Sequence, residues 1–479
     1  MKTLSRILAS LFIIASAGSE VALAITDNQT DTLSPVLPQA GNVPFHVVIS
    51  QANFQLPTGL HSGVVGVYQG LWIFIAGRTN GLHGFSGTSF PAASENTSIY
   101  VVNPATGVVT SRALSDPSSG LTQDQIDSLS VTSPEGYQEN NTLYMAGGYG
   151  YDTNATTYST KPILTAIYLP GIVQWVTQPS NPNYSVIQNI SQLTNPVFQI
   201  AGGKMHRLGN VTQLVFGQNF PTSYTPISNG IYSEVIHQFQ ITNNNGKLAI
   251  DIYNSNPVTA DPDFRRRDMN IVPALLNRNN LLQYGLVAYA GVFTTNGGVW
   301  TVPVVIDTAG NPTMADPTSA STFKQAMNQY ACATASLYSR STSSMYHILF
   351  GGNSYEYFVS GSPVDDQEIP FINQVTTIKM DTNGNFTQYL MGGEYPVILS
   401  TTSNPGNPLL FGSAAYFIPN SVQRYPDNII NLDSITKPTV IGYIVGGIAS
   451  TLANTNVDAD SFASPYVFTV TLIPGEGVV

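Results

Sequence analysis

Three consecutive arginines stand out in a chain that carries few charges. Only 9% of the 479 residues are charged, and 17 Lys and Arg face 28 Asp and Glu. The stretch DPDFRRRDMN contains Arg265, Arg266, Arg267 and Asp268, with two more aspartates just before them. Guanidinium groups bind carboxylate, sulfate or phosphate in paired fashion, so the cluster predicts an anion clamp. The alternative is a structural network of arginines and neighbouring aspartates, and the sequence leaves both open.

Two acidic stretches could do other chemistry. The loop SPVDDQEIPF holds three carboxylates, which could act in acid–base catalysis, bind Ca²⁺ or simply face solvent. The segment from Asn454 to Ser461 alternates oxygen-bearing side chains as a calcium loop does, but lacks the central glycine and distal Glu of an EF-hand. The sequence therefore predicts no cofactor and no metal ligand, and Ca²⁺ is the one ion that deserves a test.

Several single ionisable residues could face a ligand or serve the fold. Glu135 lies beside Tyr137, and Arg78 lies between His61 and His83. A lone residue of this kind is more often structural than functional. The sequence has no Gly-x-Ser-x-Gly elbow and no His-Glu-x-x-His zinc pair, so it predicts no catalytic residue. Cys332 is the only cysteine, which excludes an intrachain disulfide.

The elements that would position these residues repeat along the chain. Apolar runs end abruptly in glycine six times, at intervals of 60 to 95 residues. A run rich in small residues precedes most copies, and hairpin turns such as NPATG and DTNGN follow several of them. The pattern predicts six units of four strands, in which the glycines end the second strand. The runs are LWIFIAG, LYMAGG, QLVFG, GLVAYAG, YHILFGG and GYIVGG.

These repeats resemble the kelch family, whose second strand ends in a double glycine. Three copies have the full pair, and the resemblance extends from about Phe45 to Pro474. It implies an all-β fold, a kelch-like β-propeller of six four-stranded blades around a channel, with a ligand at one channel mouth. The last unit lacks its fourth strand, so Phe45–Phe54 is expected to supply it and close the ring. The arginine segment also looks like one in uncharacterised secreted bacterial propellers, a likeness that implies no activity.

The first residues are typical of an export signal. A basic start, an apolar run from Ile7 to Ala17 and Ala22-Leu23-Ala24 predict a signal peptide over 1–24. We expect a disordered leader over 25–44 and a single domain over 45–479, secreted, periplasmic or at the cell surface. The net charge of −11 argues against nucleic acid as a partner. No membrane insertion is expected, and the sequence leaves the oligomeric state open.

Two functions fit this sequence. The first is a binding or scaffold module that recognises a glycan or a protein at the channel mouth. The alternative is a carbohydrate-active enzyme, such as a lyase, epimerase or hydrolase, with Arg and carboxylate groups in the channel. The residues predicted to bind the ligand are Arg265, Arg266, Arg267, Asp268, Glu135 and Arg78.

Overall fold

The chain is all-β, as predicted. The computed structural model describes residues 42–84, 89–224, 230–244, 246–278, 281–455 and 457–475. Within these residues, six antiparallel sheets each contain four main strands. We number the sheets 1 to 6 in chain order. The term first strand means the earliest strand in the chain for sheets 1 to 5, and Tyr416–Pro419 for sheet 6.

The strands of each sheet follow one another in space from the first strand to the fourth. Sheets 1 to 3 are built from Val64–Tyr68, Leu71–Ile75, Ser98–Asn103 and Val108–Ala113; Glu135–Glu139, Thr142–Ala146, Ile163–Tyr168 and Ile190–Thr194; and Lys204–Leu208, Val211–Val215, Ile236–Asn244 and Lys247–Asn256. Sheets 4 to 6 are built from Asn270–Arg278, Leu281–Tyr289, Val304–Ile306 and Pro312–Met314; Ala333–Ser339, Ser344–Asn353, Phe371–Met380 and Phe386–Glu394; and Tyr416–Pro419, Thr439–Val445, Tyr466–Pro474 and Phe45–Gln55.

The apolar runs that end in glycine form the second strands. In sheets 1, 2, 3 and 5 these strands are buried along nearly their whole length, which explains why they read as continuous apolar runs. The second strands of sheets 4 and 6 are exposed or partly buried where they begin and become buried towards their glycines. The turn NPATG joins the third and fourth strands of sheet 1, and DTNGN does the same in sheet 5. First strands lie beside each other from sheet 1 to 2, 2 to 3, 4 to 5 and 5 to 6.

The N-terminal strand completes the last sheet. Phe45–Gln55 pairs antiparallel with Tyr466–Pro474, with Ile49 opposite Val470, as the sequence predicted. Val43 is also buried, so packed structure begins before Phe45 and within the predicted 25–44 leader. The predicted signal peptide and the rest of the leader lie outside the described residues.

Hydrophobic clusters join the sheets in cyclic order. Five clusters each lie mainly between two consecutive sheets, one for each pair: 1 and 2, 2 and 3, 3 and 4, 4 and 5, and 5 and 6. A sixth cluster joins the last sheet to the first, where Trp72 and Phe74 pack with Val445 and Val467. The ring of Trp72 also lies 5.0 Å from that of Tyr443 in sheet 6. Burial of apolar surface between neighbouring sheets is therefore the main force that holds the sheets together.

The elements that were not predicted from the sequence include two helices and a hairpin. The helices Gln123–Ser128 and Leu169–Thr177 lie in connections of sheets 1 and 2, and the second buries Trp175 against them. The connection after the first strand of sheet 6 forms a hairpin over residues 423–431. Its Ile430–Asn431 pairs in parallel with the free edge of Ala333–Ser339. None of the described helices is long and apolar enough to cross a membrane.

Candidate functional site

The six first strands begin at one common end of the sheets. Each is preceded by a residue with left-handed backbone torsions, φ between 48° and 69°. The N–H of each of these residues, from the second sheet to the sixth, donates to the carbonyl of the equivalent residue in the preceding sheet, at 2.5 to 3.0 Å. We call these the junction residues and this end of the sheets the junction face. They are Ser62, Ser133, Gly202, Asp268, Ala331 and Ala414.

The glycines that end the second strands lie close to the junction face. Each unit has two consecutive left-handed residues there, and the second, with φ between 84° and 100°, is always glycine. The first has φ between 53° and 67°, which Ala76, Phe216 and Ala290 also adopt in the units with a single glycine. The equivalent glycines are therefore the second of each pair: Gly77, Gly148, Gly217, Gly291, Gly352 and Gly447.

These glycines also connect the sheets. The N–H of Gly148 donates to the carbonyl of Ile200, just before the first strand of sheet 3, and that of Gly447 donates to the carbonyl of Leu60, just before the first strand of sheet 1. The residue after each glycine bridges to the residue before a junction residue, as Val292 does with Arg267. Side chains from both positions thus meet at the junction face.

Arg266 lies in the interior. Its side chain has 0% exposure and donates to the carbonyls of Ala290 and Asp263, both at 3.3 Å. The guanidinium carbon lies 4.4 Å from the centre of the Trp300 ring. Burial lowers the pKa of Arg266 to about 9, although Asp263 opposes that shift. Arg266 therefore holds the loop before sheet 4 to its neighbouring connections.

Arg265 is also engaged by the protein. It donates to the carbonyl oxygens of Phe293 at 2.5 Å and of Thr294 at 3.1 Å. Its guanidinium carbon lies 3.8 Å from the centre of the Tyr232 ring, and Glu234 is at 4.0 Å. Carbonyl contacts and ring stacking occupy this side chain in the described structure, as they do Arg266.

Arg267 is about as exposed as Arg265, at 16% against 18% of the side chain, but it differs from both other arginines in its partners. Among the described residues it donates to no backbone carbonyl, and its Nε lies 3.6 Å from Oδ2 of the junction residue Asp268. The guanidinium is flanked by Phe220 and Phe293, at 5.3 and 5.7 Å from the ring centres. Burial alone would lower the pKa of Arg267, but Asp268 and two nearby tyrosines raise it above its ordinary value. Arg267 thus presents a permanent positive charge at the junction face.

Aromatic rings form a wall beside Arg267. Phe220 lies 5.7 Å from Tyr224 between ring centres, and His83 stacks on Phe90 at 4.6 Å. Most of these rings are only partly buried, so they offer faces and edges at the surface. Burial lowers the pKa of His83 to about 4, and Arg267 adds to that shift, so this ring is neutral at neutral pH.

Arg78 lies at the junction face but is 2% exposed. Its Nε donates to Oδ1 of Asn80 and its Nη2 to the carbonyl of Pro91, both at 3.0 Å. The guanidinium carbon is 5.2 Å from the centre of the Phe90 ring. Burial lowers the pKa of Arg78, and the nearby Glu95 opposes this. These contacts place Arg78 behind the aromatic wall.

Glu135 connects sheet 2 to sheet 3. It has 0% exposure, and its Oε1 accepts the N–H of Gly203 at 2.8 Å. Burial raises its pKa well above the ordinary value. Two other sheets use the same position in the same way: Asn270 Oδ1 accepts from Cys332 N–H at 3.0 Å, and the Tyr416 hydroxyl accepts from Gly63 N–H at 2.6 Å. Glu135 thus belongs to a set of connections between sheets.

Lys204 is a candidate that sequence reasoning missed. It occupies in sheet 3 the position that Glu135 occupies in sheet 2, two residues after the junction residue. An ammonium group has no acceptor, so it cannot make the same connection to the next sheet. Lys204 is instead exposed. The surrounding protein lowers its pKa, and the negative charges of Glu135 and Asp268 oppose that shift. Lys204 precedes the glycine that ends its second strand by the same number of residues as Glu135 does in sheet 2, and this spacing is the signal that could have identified it.

The remaining candidates are dispersed. Asn454 donates to Asp366 at 2.8 Å, and Asp460 accepts from Asn404 at 2.9 Å. No cluster of three or more His, Cys, Asp or Glu suited to a metal occurs among the described residues. The expectation of no metal ligand, with Ca²⁺ as the one ion to test, stays a prediction. Cys332 is buried, and burial raises the pKa of its thiol to about 12.

No protein-family model matches the chain, and neither does any curated protein sequence. Among solved structures, the chain is similar to one titled "Structure of YjhT", at 10% sequence identity and a TM-score of 0.44. That similarity covers 88% of this chain and 98% of the other.

Proposed function

We propose that the six sheets are the blades of a kelch-like β-propeller and that the junction face is one mouth of its central channel. The cyclic order of the hydrophobic clusters supports this arrangement, because the sixth cluster joins sheet 6 to sheet 1. The hydrogen bonds between junction residues support it as well, since they bring the starts of the first strands together. The N-terminal strand would then close the ring by completing sheet 6.

We further propose that this propeller is an exported binding module for an acidic glycan. The observation that carries the proposal is the partly exposed guanidinium of Arg267, set between aromatic rings at the junction face. Arg265 and Arg266 donate to carbonyls, so Arg267 is the member of the cluster best placed to receive a ligand. A charge-assisted hydrogen bond to a carboxylate contributes about 1.5–3 kcal/mol.

The aromatic wall fits the rest of a sugar. Tyr224 presents a partly buried ring beside Arg267, backed by the buried Phe220, and such rings pack against the apolar faces of pyranoses while hydroxyl groups keep contact with water. Asp268 gives the guanidinium an orientation through their ion pair. The ligand would therefore place its acidic group on Arg267 and a ring face on the wall.

The alternative function is a carbohydrate-active enzyme at the same place. Asp268 favours it, because this carboxylate is 32% exposed next to Arg267 and could exchange a proton with a bound sugar. Burial raises the pKa of Asp268, which the neighbouring cations Arg267 and Lys204 oppose. An enzyme would convert the ligand that it binds, whereas a binding module would release it unchanged.

A glycan array tests both functions. The protein from Ile25 onward would be applied to neutral glycans, to acidic glycans and to the same acidic glycans with their carboxyl groups reduced, with and without Ca²⁺. We expect binding of acidic members that is lost on carboxyl reduction. Equal binding of reduced and unreduced glycans would contradict the assignment to Arg267. Recovery of each hit by mass spectrometry and NMR separates binding from turnover.

A further inference from the structure

The unpredicted hairpin of sheet 6 crosses from one sheet towards another. Its two arms pair through Tyr425 N–H to the carbonyl of Ile429 at 2.7 Å and Asn431 N–H to that of Gln423 at 2.9 Å. The turn between the arms spans residues 426–428. We call residues 423–431 the plug hairpin, for the reason developed below.

The base of the plug hairpin is held firmly on sheet 5. Ile429 and Ile430 are fully buried, and Ile430 lies in register with Leu337 of the first strand. Just after the hairpin, the Asp433 carboxylate accepts the N–H groups of Arg340 at 2.7 Å and Ser341 at 3.1 Å. In the proposed propeller, the strand that it pairs with is the innermost of sheet 5, so the hairpin lies on the inner side of the sheets.

The tip of the plug hairpin reaches sheet 3. Oδ1 of Asp427 lies 3.7 Å from Nε2 of His206, which is on the first strand of that sheet. His206 is two residues beyond Lys204, so both side chains leave the strand on the same face. Lys204 lies towards the junction face, and His206 lies further along the strand. The hairpin therefore reaches from sheet 5 to sheet 3, and it lies further from the junction face than Lys204 does.

We propose that the plug hairpin closes the far end of the central channel, so that the channel is a blind pocket with Lys204 in its wall. Solvent, and any group of a ligand, then reaches Lys204 from the Arg267 side. A ligand bound at Arg267 can extend one charged or polar group inward to the ammonium, but a long polymer cannot thread through. The proposal rests on the propeller arrangement proposed above and does not depend on the identity of the glycan.

Amine labelling measures access to Lys204 in the intact protein. Two reagents would be used: formaldehyde with borohydride, which is small, and a sulfonated biotin ester, which is bulky. Lys247, exposed at the outer hairpin of sheet 3, serves as the internal reference, and peptide mass spectrometry gives the rate at each lysine. We expect the small reagent to modify both lysines and the bulky one to modify Lys204 at least tenfold more slowly than Lys247.

Two variants open the proposed plug. In the first, residues 426–428 are replaced by an Asn-Gly turn; the second is Asp427→Ala, which keeps the whole hairpin and its buried base. We expect the bulky reagent to react with Lys204 at least fivefold faster in the shortened variant, with an unchanged rate at Lys247. Asp427→Ala should give a smaller acceleration in the same direction.

An unchanged Lys204 rate in both variants, with cooperative melting retained, would overturn the blind pocket. Should the shortened variant fail to fold, the Asp427→Ala rate alone decides. Failure here is distinct from failure of the glycan proposal, because glycan binding at Arg267 is measured without these variants or reagents.

Discussion

Arg266 and Arg267 are neighbours in the chain but differ in what surrounds them. The first is enclosed and donates to carbonyls of adjoining connections, whereas the second is flanked by rings and partly open to solvent. Glu135 and Lys204 form a second such pair, at one position of two consecutive sheets. The same position can hold two sheets together in one unit and remain exposed in the next. Side-chain chemistry decides between these roles, because the backbone repeats.

The largest expected effect follows from the two arginines. Arg266→Ala removes a buried guanidinium, leaves the carbonyls of Ala290 and Asp263 without their donor and creates a cavity beside Trp300. We expect a loss of about 3 kcal/mol in the free energy of unfolding, measured by urea denaturation. Arg267→Ala is the matched control and should cost about 1 kcal/mol, the size of an average substitution, because it leaves no backbone carbonyl of the described residues without a donor. Equal losses would remove the distinction between the two side chains.

Glu135 and Lys204 give the next largest contrast. Glu135→Ala strands the N–H of Gly203 and should cost about 1–3 kcal/mol of unfolding free energy. Lys204→Ala should cost less than about 0.5 kcal/mol, because exposed substitutions rarely do more. Denaturant midpoints of the two variants check this. A larger loss for Lys204→Ala than for Glu135→Ala would contradict the assignment of the roles.

The pH dependence sharpens the same contrast. Burial raises the pKa of Glu135 in the folded protein above its ordinary value of 4.5, so the unfolded chain releases this proton first. The contribution of Glu135 to the free energy of unfolding is therefore fully present below about pH 4.5, and it decreases as the pH rises towards the pKa of this group in the folded protein. Glu135→Gln keeps an acceptor for Gly203 without the charge, so its stability relative to wild type should grow from pH 4.5 to pH 8. Parallel curves for the two proteins would contradict a raised pKa.

The smallest effect concerns the junction residues themselves. Ala414 has φ of 53°, a conformation that costs alanine more than glycine. Ala414→Gly relieves that cost but adds conformational freedom to the unfolded chain, so we expect a net gain of about 0.5 kcal/mol. Precise thermal melts measure it, with Ala335→Gly in a regular strand as a control that should be destabilised. A loss at Ala414 equal to that at Ala335 would contradict the relief of strain.

The sequence predicted the repeated strands more fully than the site. Glycine is required where φ is near 90°, and the strand that completes sheet 6 is recognisable because an apolar run at the start of the domain has no partner of its own. By contrast, Arg265 to Arg267 lie in the loop before a strand, so the alternation of side chains along a strand does not indicate which way each of them points. Which of them donate to carbonyls depends on groups more than twenty residues away in the chain.

Long-range contacts also hid Lys204 and the plug hairpin. Lys204 is distinguished only by comparison with Glu135 in the neighbouring sheet, which needs the repeats to be aligned on the correct glycine. The plug hairpin pairs with Leu337, about ninety residues earlier in the chain, and no local pattern indicates that partner. Contacts between distant segments are what a single sequence conveys least.

The central claim is that Arg267, and not its neighbours, receives the acidic group of a ligand. The most direct measurement is calorimetric titration of an acidic glycan from the array into wild type, Arg267→Ala and Arg265→Ala, each checked for folding by circular dichroism. We expect Arg267→Ala to weaken binding tenfold or more, equivalent to about 1.4 kcal/mol, and Arg265→Ala to change it less than twofold. Unchanged affinity in Arg267→Ala, or an equal loss in both variants, would contradict the account.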